Sequence, residues 1–172
     1  MQVNDEIEQR ARIEKNVIVS GLKEMCGVDE ESARATDAQL VEKLVGVLGI
    51  DPKTVSRRAR LRKRGVMPDP ARPSQLLIEF VDSKSAAAAI VNSKKLASVP
   101  DFKRVYINKD LTEAARRRLA WLRADCKTRN QALPREENGL RYDVDDENRR
   151  WFWGIRDMDV KKIYREKKNR TD

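Results

Sequence analysis

The pattern of apolar and polar positions along the chain is organised around residues 74–81. There Ser-Gln-Leu-Leu-Ile-Glu-Phe-Val gathers Leu76, Leu77, Ile78 and Phe80 into a short run bearing the marks of a largely buried strand. Asp82-Ser83 follows as a cap for a helix through residues 86–89 to Ile90 and Val91. A second apolar strand, Val17-Ile18-Val19, must pair beside the first, because a lone buried strand cannot satisfy its own backbone.

Other elements fill in around these two strands. Residues 1–15 are polar and helix-prone, with Val3, Ile7 and Ala11 four apart. They fit either a frayed helix or the last turns of a coiled coil. Lys15-Asn16 leads into a strand at 17–20 that Gly21 ends, and Gly27 with Asp29-Glu30-Glu31 makes a loop. Thr36-Asp37 caps a helix whose Leu40, Val41, Leu44, Val45 and Leu48 keep a 3.6-residue period until Gly49 and Pro52 stop it. Residues 54–61 alternate as a further strand, 62–73 form a loop rich in Arg, Lys and Pro, and 104–107 make a last strand. The order β-α-β-β-α-β predicts a split βαβ, ferredoxin-like sandwich of four antiparallel strands with both helices on one face.

From Asp110 the period changes to that of a long helix, with Asp110 and Glu113 spaced like a capping box. Leu111, Ala115, Leu119, Leu122 and Cys126 form its apolar stripe. Pro134 and Asn138-Gly139 break the chain; 140–144 and 149–153 then read as a β-hairpin, and Asp157 caps a final helix through Tyr164. The predicted class is α+β. It comprises a coiled-coil end or linker at 1–15, the sandwich at 16–109, a small α-β-β-α domain at 110–166 and a disordered basic tail at 167–172.

Composition narrows the function. Charged residues make up 38% of the chain and its net charge is +9, against about 25% charged residues in an average soluble protein. A polyanion is the natural partner, nucleic acid or an anionic membrane face. No apolar run approaches about 18 residues and the N-terminus lacks a signal-peptide core, so the protein is expected inside the cell. There is no histidine, which excludes histidine-based triads and leaves zinc only carboxylates and two distant cysteines, Cys26 and Cys126. Both cysteines read as reduced and structural. The acidic groups at 29–31 and 143–147 sit in a loop and around a hairpin turn, where solvation explains them; neither catalysis nor a cofactor is expected.

The positive charge is segregated. Residues 1–50 carry a net −4 (six basic, ten acidic), 51–73 a net +6 (eight basic, two acidic) and 111–131 a net +4 (six basic, two acidic). On the long helix, 100° per residue brings Arg116, Arg123 and Lys127 within about 40° of one another, beside the apolar stripe. Their reach suits phosphates, whereas Arg117 lies near Glu113 for an i,i+4 pair. The run Arg57-Arg58-Ala59-Arg60-Leu61-Arg62-Lys63-Arg64 has three readings: phosphate binding, a nuclear-import signal, or an edge strand protected by charge. Strand alternation sends Arg58, Arg60 and Arg62 to one face and Arg57 to the other. Trp151-Phe152-Trp153 is either the core of the small domain or a base-stacking surface; Tyr106 and Phe80 read as core.

These residues resemble a known arrangement. The sandwich is similar to an RNA-recognition-motif domain, with Val17-Ile18-Val19-Ser20-Gly21-Leu22 in its first-strand motif and residues 73–80 in its third. That family stacks bases on aromatics at strand positions that here are Ile18, Gln75 and Leu77, so the stacking platform is missing. More of the chain resembles the first-open-reading-frame proteins of LINE-type retrotransposons. The similar stretches are Arg-Ile-Glu-Lys-Asn-Val-Ile-Val-Ser-Gly-Leu at 12–22 and Val-Tyr-Ile-Asn-Lys-Asp-Leu-Thr at 105–112, followed by Ala115-Arg116-Arg117. A host protein derived from such an element would look the same. The resemblance implies a noncanonical RNA-recognition domain, a C-terminal domain of helix, hairpin and closing helix, and trimerisation through a preceding coiled coil. It further implies binding of single-stranded nucleic acid with little sequence preference and nucleic-acid chaperone activity, with an arginine pair at Arg116 and Arg117.

The expected function is therefore non-enzymatic binding of single-stranded RNA, with DNA as a candidate competitor, inside a ribonucleoprotein. Arg58, Arg60, Arg62, Lys63, Arg64, Lys109, Arg116, Arg117, Arg123 and Lys127 would neutralise phosphates in a cleft between the two domains. The rival is a protein-interaction module in a ribonucleoprotein or chromatin complex, which would dock a partner on Ile18, Gln75 and Leu77.

Overall fold

A computed structural model of the chain describes residues 3–62, 65, 69, 71–136 and 139–165. The fold is α+β, and the chain divides into two units, 1–112 and 113–172.

In the first unit, helix α1 (Val3–Ile13) precedes strand β1 (Asn16–Ser20), helix α2 (Glu30–Leu48), strands β2 (Val55–Leu61) and β3 (Gln75–Phe80), helix α3 (Ser83–Asn92) and strand β4 (Tyr106–Lys109). The strands form one antiparallel sheet in the order β2-β3-β1-β4. Register explains its sidedness. Val17 faces Ile78 and Val19 faces both Leu76 and Ile107, so these alternate residues lie on one face and are buried with Phe80. Val41, Leu44, Val45 and Leu48 of α2 and Ala86 and Ala89 of α3 complete that core. Each large side chain buried there contributes roughly 1.5–3 kcal/mol. Ile18, Leu77 and Ala59 share the opposite face.

Chain-end chemistry matches the expected caps at some ends and not at others. Asp82 accepts from the Ser85 backbone N–H at 2.7 Å and starts α3. Gly49, at φ 74°, ends α2 in the left-handed region, which glycine enters without a Cβ penalty. The start of α2, however, is not at Thr36-Asp37. Asp29 caps it through the Ser32 N–H at 2.9 Å, with Glu30 and Glu31 placed favourably at the positive end of the helix dipole. Asp37 is instead buried inside the helix. Asp110 likewise does not open the fourth helix; its carboxylate accepts from the Asn16 side-chain amide at 3.1 Å. The last strand of the sheet also lies two residues later than expected, at Tyr106–Lys109.

The second unit holds helix α4 (Glu113–Gln131) and strands β5 (Asp143–Val144), β6 (Arg150–Arg156) and β7 (Asp159–Tyr164), in an antiparallel sheet of order β5-β6-β7. Leu122 and Cys126 of α4 are buried, as are Leu133, Tyr142 and Trp151. The Asn130 side chain clips α4 to β6, donating to the Trp153 carbonyl and accepting from its N–H, each at 2.8 Å.

The expected closing helix does not exist: residues 159–164 are a strand, so the unit is α-β-β-β. Asp157 (φ 55°) and Met158 (φ 56°) both adopt left-handed conformations between the paired Arg156 and Asp159. That is the two-residue hairpin turn whose twist matches antiparallel strands. Val160 then pairs with Ile155 and Ile163 with Phe152, and β-branched side chains favour such positions. Gly154 makes room for this: a Cβ there would lie 2.6 Å from Ile163 Cγ1.

Candidate nucleic-acid interface

The arginines of β2 fall on the faces that alternation predicts, but Arg58 and Arg60 look toward the helices, since they pair with the inward-facing Ile78 and Leu76. The Arg60 side chain is only 4% exposed and its whole guanidinium is engaged. Nε and one terminal nitrogen donate to Asp37 (2.5–3.1 Å), and the remaining donors reach the carbonyls of Leu22, Lys23 and Ser74. Arg60 therefore has no donor left for a phosphate, which corrects its place among the phosphate ligands.

Arg62 is half taken up in the same way. Its Nε donates to Glu24 at 2.8 Å, and Glu24 also accepts from the Ser74 N–H at 2.7 Å. Burial of Glu24 pushes its carboxyl pKa up, but the Ser74 and Arg62 hydrogen bonds outweigh that and hold it below the usual carboxylate value. Arg57 and Arg58 are exposed, and among the described residues neither makes an ion pair. Beside them α2 and β2 leave an open cleft of about 580 Å³. Lys63 and Arg64 lie outside the described residues.

On α4 the helical spacing holds. Arg116, Arg123 and Lys127 are exposed, and among the described residues none of the three has an ion-pair partner. They flank the buried Leu122–Cys126 side of the helix. Arg117 is paired with Glu113, as its i,i+4 spacing suggests. Arg129 is held by Asp125 at 3.0 Å and lies over the Trp153 ring. Lys109, at the end of β4, is exposed beside Asn16, Lys84 and Asp110 along a smaller cleft of about 310 Å³.

Of the aromatic residues read from the sequence, Tyr106 departs from expectation. Trp151 is buried and meets the half-buried Trp153 edge-on, with ring centroids 5.3 Å apart, so the pair packs the second unit. Lys162 sits over Trp151 at 4.1 Å. Phe80 is buried, but Tyr106 is 64% exposed and is not core. It pairs with Ser20 on the free face of the sheet. The alternation of buried Val105 and Ile107 around it carried that signal. Trp121 on α4 is 65% exposed, a second aromatic that the helical stripe leaves outside. On the same free face Ile18 and Leu77 are half-buried, and Gln75 donates to the Ser20 hydroxyl at 3.1 Å.

Among the described residues no three acidic or cysteine side chains gather closely enough to hold a metal ion. No described helix is long and apolar enough to cross a membrane. In comparison with known proteins, no family model matches the chain and no curated protein matches it.

Proposed function

We propose that the chain binds single-stranded RNA by neutralising phosphates, with few base-specific contacts. The observation that carries the reading is the stripe of Arg116, Arg123 and Lys127 on α4: three cations, exposed and without ion-pair partners among the described residues, on one side of one helix. Three cations at this spacing suit successive phosphates, whereas paired surface charges such as Arg117–Glu113 contribute little to a partner. Lys109 adds a cation from the first unit.

The element order and the β2-β3-β1-β4 strand order support a sandwich of the RNA-recognition-motif kind. A place among, or descent from, LINE-type first-open-reading-frame proteins rests on the resemblance at 12–22 and 105–117. Chaperone activity, trimerisation through a coiled coil and a ribonucleoprotein setting rest on the same ground. Non-aromatic residues at Ile18, Gln75 and Leu77 fit binding through phosphates rather than through base stacking on the sheet. The second reading, a protein-docking sheet face, draws support from Tyr106 and Leu61, which lie on that face 64% and 46% exposed.

The test is fluorescence anisotropy of a labelled single-stranded RNA of about 30 nucleotides, with duplex RNA and duplex DNA as competitors. Single-strand preference is expected, with at least a tenfold loss of affinity when Arg116, Arg123 and Lys127 become alanine. Undiminished binding by that variant would overturn the assignment to α4.

A further inference from the structure

Strand β2 lies at one end of the strand order, and among the described residues nothing pairs with its outer side. Such an edge offers N–H and C=O groups to any extended chain laid along it. Ser56 is an extra residue between the paired Val55 and Arg57, a bulge that interrupts the ladder at the start of the strand. The regular edge therefore spans residues 57–61, about 17 Å at strand rise.

Helix α2 stands beside this edge and leaves the cleft of about 580 Å³. The Arg60–Asp37 bonds tie β2 to α2 and hold the two walls at a fixed spacing. Ala33 adds an apolar patch to the α2 wall of the cleft. Glu30 is neutralised by Arg34 at 2.7 Å. What stays uncompensated among the described residues is Arg57 and Arg58, on opposite faces of the strand.

The geometry points to a docking groove for an acidic peptide in extended conformation, added to β2 as a fifth strand. Side chains of an added strand alternate between the two faces, so its carboxylates meet Arg58 on the α2 side and Arg57 on the other. A peptide suits the groove better than a nucleic-acid strand does. The outward carbonyls of β2 need donors, which a peptide backbone supplies and a phosphodiester backbone lacks.

The experiment uses the full chain and the fluorescein-labelled peptide Val-Glu-Asp-Val-Val-Glu-Asp-Val, whose acidic residues fall on both faces of a strand. Two further forms carry N-methyl groups, one on the amides of the odd-numbered residues and one on those of the even-numbered residues. Strand addition uses only one edge of the peptide. One methylated form is therefore expected to bind at least about tenfold more weakly than the parent while the other binds like it. Arg57→Glu together with Arg58→Glu, both exposed positions, is expected to abolish binding while the circular-dichroism spectrum is unchanged. An equal response to both methylated forms would overturn strand addition in favour of docking by charge alone. Absence of binding would mean that the arginines only guard the edge. Displacement of the peptide by oligouridylate would make the cleft a phosphate site. RNA affinity of the same samples is read separately, so this inference and the α4 reading succeed or fail independently.

Discussion

Replacing Arg60 by methionine would leave the Asp37 carboxylate buried without its partner and strip donors from the carbonyls of Leu22, Lys23 and Ser74. Breaking a buried pair from one side costs about 3–5 kcal/mol, because the stranded charge loses its compensation. Urea denaturation of R60M should show a stability loss of about that size. Glu24 makes a pH-dependent contribution. Its folded pKa lies below its unfolded value, so the stabilisation is complete above the unfolded value and disappears as pH falls through the folded one. E24Q should therefore be less stable than the parent at pH 7, with the two stabilities converging only once pH has fallen below the lowered folded-state pKa, where the carboxyl is as neutral as the amide. Denaturant titrations from neutral to acid pH would read the convergence; a gap that does not change with pH would contradict it. Strand periodicity placed Arg58 and Arg60 on one face, as the register has them. It could not show that Asp37, more than twenty residues upstream, waits on that face.

At the scale of elements, tight approaches decide what the chain tolerates. Gly21, at φ 81°, turns the chain out of β1, and a Cβ there would lie 2.2 Å from the Arg104 carbonyl oxygen. G21A meets both a disfavoured conformation and a fixed backbone atom, so it should destabilise the first unit by more than about 2 kcal/mol, visible as a lowered melting temperature. In the second unit, N130A removes both hydrogen bonds between α4 and the Trp153 backbone. A loss of about 1–3 kcal/mol is expected, with faster hydrogen exchange at the Trp153 amide. An unchanged exchange rate would refute that clip. The missing closing helix belongs to this scale too. Asp157 reads equally well as a helix cap and as a turn residue, and only pairing of Val160 and Ile163 with β6 selects the strand.

For the whole molecule, the proposed RNA binding depends on how the cations are distributed. If Lys109, Arg116, Arg123 and Lys127 each neutralise one phosphate, log affinity for single-stranded RNA should fall with log salt at a slope near −3. The triple alanine variant on α4 should flatten that slope by about two. A slope that stays steep in the variant would move the phosphate contacts to other cations. Net charge alone could not make this distinction, because Arg60, Arg62, Arg117 and Arg129 count toward +9 yet hold internal or neighbouring carboxylates.

Local physics, written in neighbouring residues, was readable from the sequence alone: the apolar strands β1 and β3, the Asp82 cap, the Gly49 stop, and the free side of α4. These depend on period, capping and i,i+4 spacing, which act over a turn or a strand. Tertiary structure decided what depends on distant partners. It set Arg60 against Asp37 and Glu24 against Arg62 and Ser74, turned Tyr106 outward, and drew residues 159–164 into a sheet. Each such outcome requires a burial or a hydrogen bond between segments far apart in the chain, and no window of sequence contains both sides of the contact.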